Sequence, residues 1–101
     1  MRAKITKEDR EWAKKIKEKY GNRCIVCAET KYINAHHIIP RQKKEFRHDL
    51  RNGIALCPSH HRFSFTFSAH QNPYIFYSWL AKHRTLIINE VNEMLNEKWK
   101  N

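Results

Sequence analysis

Three cysteines and one histidine of this chain stand at the spacing of metal ligands. Cys24 and Cys27 form a C-x2-C pair, and Cys57 and His60 form a C-x2-H pair further along the chain. Zinc takes thiolate and imidazole ligands, and structural zinc sites use four protein ligands in a tetrahedron. The spacing therefore predicts one structural Zn²⁺ in a Cys3His site. The alternative for the cysteines is that they are three small buried apolar side chains.

Two pairs of adjacent histidines accompany these ligands. One pair, His36 and His37, lies in the apolar stretch "INAHHIIPRQ", and the other, His60 and His61, follows Pro58. Neighbouring side chains point to opposite faces of a strand and about 100° apart on a helix. Each pair can thus supply imidazoles for two different tasks, metal binding and proton transfer near neutral pH. Any one of these histidines, taken alone, can equally be an ordinary core or surface residue.

The order of these residues is similar to that of the His-Asn-His (HNH) endonuclease superfamily. The segments "AHHIIP" and "LCPSHH", with Asn52 and Gly53 between them, resemble its small zinc-containing members from phages and bacteria. The resemblance extends from Cys24 to His61. It implies an α+β fold in which a ββα-metal core carries the Cys3His zinc site. We expect this core to be flanked by an N-terminal helix and a long C-terminal helix.

The resemblance also implies a role for individual residues. His37 would be the general base that takes a proton from water. His36 and His61 would bind one catalytic divalent ion at the scissile phosphate. Asn52 would hold the loop and orient His37, or assist at the metal. These roles imply a metal-dependent DNA endonuclease that hydrolyses phosphodiester bonds by a one-metal mechanism, with nicking as the simpler outcome for one site per chain.

The chain departs from the family pattern at three positions. His36 stands where many members have aspartate, so the ion has neutral ligands and Mn²⁺, Ni²⁺ or Co²⁺ becomes as suitable as Mg²⁺. His60, rather than a cysteine, is the fourth zinc ligand. Phe65 stands where some members, among them the nuclease colicins, have a further histidine. We therefore expect only two protein imidazoles on the ion, with phosphate and water completing its coordination.

The first half of the chain is predicted to form a helix and a hairpin that carries His36 and His37 on its first strand. Thr6 and Asp9 form a weak capping box before the apolar stripe of Trp12 and Ile16, which predicts a helix over residues 7–20. Isoleucine, tyrosine and small residues predict a strand over about 32–39, and "GIALC" predicts a second one. The polar, basic segment 40–52 is then the long connection of an antiparallel hairpin.

The second half is predicted to be helical. Pro58 suits the first turn of a helix that can run to about Phe67. Asn72 and Pro73 stand at the N-cap and first turn of a long C-terminal helix, whose apolar periodicity slips near residues 83–85 and predicts a break there.

The net charge of +10 indicates a polyanionic partner. Residues 1–51 hold fifteen basic and seven acidic side chains, so the excess lies in the half that carries the histidine pair. Nucleic acid, and double-stranded DNA in particular, is the expected partner, with general solubility as the alternative reading. The residues predicted to contact nucleic acid are Arg41, Lys43, Lys44, Arg47, Arg51 and Arg62.

Length and composition suit one small domain over residues 1–101, with a core at about 22–68. No apolar run approaches the roughly 20 residues of a membrane span, so no membrane partner is expected. The N-terminal residues lack an apolar signal segment, and an odd number of cysteines argues against disulfides. We expect a cytoplasmic protein of a bacterial or phage-infected cell, as a monomer or weak dimer.

Two other functions compete with the endonuclease hypothesis. A zinc-stabilised, non-catalytic nucleic-acid-binding module explains the cysteines and the charge, but it leaves Asn52 and three histidines without a role. A protein–protein adaptor explains still less.

Overall fold

The computed structural model describes residues 4–64 and 67–99 of the chain. Its first element is helix α1, Lys7–Lys19. The predicted capping box is confirmed, since the Asp9 amide donates to Thr6 Oγ1 over 3.1 Å and the Thr6 amide donates to Asp9 Oδ2 over 2.9 Å. Trp12 and Ile16 are buried one turn apart, so α1 packs its predicted apolar stripe against the rest of the protein.

Two antiparallel strands follow, β1 (Asn34–His37) and β2 (Gly53–Leu56). Their register places His37 opposite Gly53 and His36 opposite Ile54. Strand β1 is shorter than the predicted 32–39 for two reasons. Tyr32 has a positive φ of 56°, which breaks the extended chain before the strand. Beyond the strand, the amide and carbonyl of Ile39 are bonded to the Asn52 side chain.

The helix predicted from Pro58 to about Phe67 is a single wide turn, Ser59–Phe63. Its π-type hydrogen bond joins the Ser64 amide to the Ser59 carbonyl at 2.8 Å, and Ser64 itself is extended. Phe65 lies outside the described residues. Beyond the turn the chain folds back on itself, because the amides of Ala69 and His70 donate to the carbonyls of His60 and His61, at 2.8 and 3.1 Å.

The C-terminal part consists of α2, Pro73–His83, and α3, Thr85–Trp99. The predicted start at Asn72 and Pro73 and the break near residues 83–85 are both confirmed, although the Asn72 side chain makes no capping hydrogen bond. Apolar side chains of β2, α2 and α3 form the main core, with both buried cysteines at its edge. This is the expected α+β architecture. Among the residues that the structure describes, no helix is long and apolar enough to cross a membrane.

Candidate active site and metal centres

The four predicted zinc ligands converge at one point. Cys24 and Cys27 come from the turn after α1, Cys57 ends β2, and His60 lies on the π-type turn. Their ligand atoms all lie within 4.8 Å of one another. The His60 Nδ1 atom is 3.2 Å from Cys57 Sγ and 3.6 Å from Cys24 Sγ, and the sulfurs of Cys27 and Cys57 are 3.8 Å apart.

These separations suit a tetrahedral zinc ion. Bond lengths of about 2.3 Å to sulfur and 2.0–2.1 Å to nitrogen imply edges of roughly 3.8 Å between sulfurs and 3.6 Å between sulfur and nitrogen. The three cysteines form no disulfide. Burial raises the pKa of the Cys57 thiol to about 11, so a bound cation is what would convert it to a thiolate at neutral pH. The Cys3His group is therefore a fitting structural zinc site.

A second cluster lies on the His36 face of β1. His36 is buried, and its Nε2 atom is 2.7 Å from the hydroxyl of Tyr77 on α2. The Nε2 atoms of His61 and His70 are 3.1 Å apart. One ligand atom from each of His36, His61 and His70 lies within 4.8 Å of the others. The structure thus brings together the two predicted ligands and adds a third imidazole.

The three imidazoles suit a divalent ion. A metal–nitrogen bond of about 2.1 Å gives adjacent octahedral ligands a separation near 3 Å, which is close to the His61–His70 distance. Burial lowers the pKa of His36 to about 3 and that of His61 to about 4, and it also lowers the pKa of His70. All three rings are therefore neutral near pH 7, the form that a metal ligand requires.

Sequence reasoning missed His70 because it stands in a loop, nine residues after His61, where no helical or strand spacing relates the two. The backbone pairing of His61 with His70 creates the relation. The one signal in the sequence that could have indicated His70 was its position before α2. A histidine two residues before the Asn72–Pro73 helix start lies in a short connection whose ends are both held by the core.

His37 has different surroundings on the other face of β1. Its Nε2 atom is 2.9 Å from the Arg47 carbonyl oxygen. A carbonyl only accepts, so Nε2 carries the proton and Nδ1 is the basic nitrogen of the neutral ring. The ring lies flat on the indole of Trp12, with centroids 3.8 Å apart and planes inclined by 4°. Burial is the largest cause of its lowered pKa, which keeps the ring neutral at physiological pH.

Asn52 is fully buried and binds only backbone groups in the described hydrogen bonds. Its Oδ1 accepts from the Ile39 amide at 2.6 Å, and its Nδ2 donates to the carbonyls of Ile39 and Phe46 at 3.0 Å each. The side-chain amide therefore connects the two sides of the long loop. Its contact with the Phe46 carbonyl lies one residue before Arg47, whose carbonyl is bonded to His37. Of the two roles left open for Asn52, this geometry favours orientation of His37.

A groove of about 1350 Å³ contains both faces of the site. His36, His37, His61 and His70 line it, and cationic residues stand along it: Arg10, Arg41, Lys44, Arg47 and Arg62.

Two of the predicted nucleic-acid contacts, Arg47 and Arg51, also form ion pairs within the protein. Arg47 Nε donates to Asp9 Oδ1 at 2.8 Å, and Arg51 bridges Asp49 and Glu97, at 2.8 Å each. These ion pairs connect the loop to α1 through Arg47 and to α3 through Arg51. Lys43 lies on the exposed surface of the same loop.

Comparison with known proteins agrees with this geometry. Residues 24–67 match the family model described as HNH endonuclease, whereas no curated protein and no solved structure matches the chain significantly. The matched segment contains both zinc-ligand pairs, the histidine pair, Asn52 and His61. This match over residues 24–67 supports membership of the HNH endonuclease superfamily.

Proposed function

We propose that this protein is a metal-dependent DNA endonuclease that hydrolyses phosphodiester bonds and nicks one strand at a time. One observation supports this function above all. A single groove holds an oriented neutral imidazole, His37, beside a cluster of three further imidazoles that fits a divalent ion, and cations stand along the same groove.

His37 is the general base in this proposal. Its Nδ1 atom accepts a proton from the attacking water, while Nε2–H keeps its hydrogen bond to the Arg47 carbonyl. The carbonyl dipole also stabilises the imidazolium that forms. Because the lowered pKa keeps the ring unprotonated at neutral pH, the base is ready before substrate arrives. A positioned base of this kind contributes roughly 10²–10⁴-fold to the rate.

His36, His61 and His70 would hold the catalytic ion. When bound there, a divalent ion supplies positive charge for the scissile phosphate and the leaving oxygen. Three imidazoles favour Mn²⁺, Ni²⁺ or Co²⁺ more than an all-oxygen site would. The hydrogen bond between Tyr77 and His36 fixes the ring of the most buried ligand.

Arg10, Arg41, Lys44 and Arg62 line the groove and are suited to contact the DNA backbone. Each lost phosphate contact lowers the log–log salt slope of binding by about 0.9 on double-stranded DNA. Removing all four charges should therefore flatten the salt dependence by about three to four units of slope. The same change at Lys43 alone measures whether this exposed residue, also predicted to contact nucleic acid, adds to the slope.

A supercoiled plasmid with added Mn²⁺ or Mg²⁺ tests the proposal. The proposed enzyme converts it to the open circle, and a chelator that leaves the zinc in place stops the reaction. Binding of the plasmid without cleavage under Mg²⁺, Mn²⁺, Ni²⁺ and Co²⁺ would instead establish the non-catalytic binding module.

A further inference from the structure

Helix α1 precedes the family segment, yet it supplies the surface on which His37 rests. We infer that Trp12 is a positioning residue for the general base and that α1, through Trp12 and Asp9, fixes the orientation of the His37 ring. This inference rests on the proposed role of His37. It assigns a functional role to a helix that the family resemblance does not reach.

The Trp12 ring is held as a rigid platform. The side chain is 4% exposed, and its Nε1–H donates to the Asp49 carbonyl over 3.0 Å. The stack on His37 is face to face, at 3.8 Å and 4°. A tryptophan that served only to fill the core would need no coplanar contact with the proposed general base.

Gly53 makes room for this platform. It is the register partner of His37 on β2. A Cβ at this position would lie 2.6 Å from Trp12 Cζ2 and 2.7 Å from Ile16 Cδ1, closer than atoms can approach. The missing side chain therefore lets the indole lie against the strand pair at the level of His37.

Asp9 acts through Arg47 to fix the direction of the His37 ring within its own plane. Arg47 Nε donates to Asp9 Oδ1 at 2.8 Å, and the Arg47 carbonyl accepts from His37 Nε2 at 2.9 Å. The stack sets the plane of the imidazole, and the anchored carbonyl sets its direction within that plane. Helix α1 thus controls both, and together they determine where Nδ1 points.

Kinetics of two Trp12 variants test the inference. In Trp12→Leu the platform is lost, so kcat should fall roughly 10–10²-fold, the scale expected for a misplaced catalytic group. KM for DNA and the Kd for Mn²⁺ should stay unchanged. Trp12→Phe keeps an aromatic face and should retain most of kcat. Trp79→Leu, which removes an indole packed on Phe67 and Phe76, controls for general loss of an aromatic ring.

A double variant separates positioning from mere stability. If Trp12 acts through His37, Trp12→Leu should cause no further loss of cleavage in a His37→Ala background. An equal loss in both backgrounds, or a wild-type kcat in folded Trp12→Leu, would overturn the inference and leave the proposed function intact. Full activity of His37→Ala would instead refute the proposed base.

Chemical rescue tests the platform even if Trp12→Leu does not fold. In His37→Gly, the space over an intact Trp12 should accept free imidazole, and cleavage should rise and saturate with its concentration. A saturated amine of similar basicity should rescue poorly because it cannot stack. Rescue that rises linearly and equally for both bases, or no rescue by imidazole in a folded variant, would overturn the inference.

Discussion

The two faces of β1 carry adjacent histidines in opposite environments. On the His36 face, imidazoles from three segments of the chain come together, and α2 adds the Tyr77 hydroxyl. On the His37 face the imidazole has a tryptophan on its flat side and a carbonyl at one nitrogen. A strand separates neighbouring side chains by its geometry alone.

This difference reflects two chemical requirements. An ion site needs several lone pairs within a few ångströms, so it gathers residues from distant parts of the sequence. A general base needs one lone pair in a fixed direction, so it requires a support for the ring and a fixed partner for its N–H. The segments after the strand build the first environment, and α1 with the basic loop builds the second.

The largest effect is expected from loss of the zinc site, because both faces of β1 depend on the fold that it stabilises. In Cys57→Ser or His60→Ala the zinc site is broken, and since zinc binding is part of the folding free energy, on the order of 10 kcal/mol in small domains, the protein should unfold. Far-ultraviolet circular dichroism and metal analysis measure this. His61→Ala, one residue away from His60, should stay folded with about one zinc per chain. A folded wild-type sample without zinc would contradict the assignment.

His70→Ala tests whether the His36 face has three ligands. Loss of this ring should weaken Mn²⁺ binding by at least the 10–10²-fold that is typical of changes in the supporting groups of a metal site. Raised Mn²⁺ should restore part of the cleavage. His83→Ala removes an exposed histidine of α2 and serves as the control. If His70→Ala bound Mn²⁺ like the wild type, the site would have two protein ligands, as the sequence alone predicted.

Asp9→Asn weakens the support of the His37 face. Arg47 is the main cause that lowers the pKa of Asp9 well below its ordinary value of 3.8. The carboxylate therefore contributes its full stability above about pH 4 and loses it as the pH falls further. The free energy of unfolding of the variant should be about 1.5–3 kcal/mol lower at pH 7, the range for hydrogen bonds to charged groups. As the pH falls, the stability of the variant should then decrease much less than that of the wild type.

Urea unfolding at pH 7 and pH 3 measures both effects of Asp9→Asn. Glu8→Gln, in the same first turn of α1 but exposed, should change stability little at either pH. An equal dependence of stability on pH in Asp9→Asn and the wild type would contradict the role of this carboxylate.

Tyr77→Phe should give the smallest effect, and only on the His36 face. The hydroxyl holds His36, so its removal should weaken Mn²⁺ binding about tenfold, the lower end for such outer groups. Isothermal titration measures the change. Tyr74→Phe, one turn earlier and exposed, is the matched control and should bind as the wild type does.

Local signals predicted the fold well. Thr6 with Asp9, Asn72 with Pro73, and the slip near residues 83–85 each depend on neighbouring residues, and the structure confirms them. The convergence of the Cys3His group was predictable because both pairs have a fixed spacing that few roles other than metal binding require. The lengths of β1 and of the turn after Pro58 were not predictable, because the Asn52 side chain and the returning chain at Ala69 determine them.

The parts of the site that the sequence did not reveal depend on long-range packing. His70 pairs with His61 through the backbone, and Trp12 meets His37 only after α1 docks on the hairpin. The ion pairs of Arg47 and Arg51 were not predictable because their acidic partners Asp9 and Glu97 are 38 and 46 positions away in the chain. Charge in a sequence predicts a basic surface, but not which cations are already paired.

The account depends most on the division of labour between His36 and His37. Calorimetric titration of Mn²⁺ into His37→Ala and His36→Ala, beside a plasmid cleavage assay, tests it directly. His37→Ala should bind Mn²⁺ as the wild type does while cleavage falls roughly 10²–10⁴-fold. His36→Ala should bind Mn²⁺ more weakly, and extra Mn²⁺ should restore part of its cleavage. If His37→Ala lost the ion while His36→Ala kept both ion and activity, the two faces would have the opposite roles.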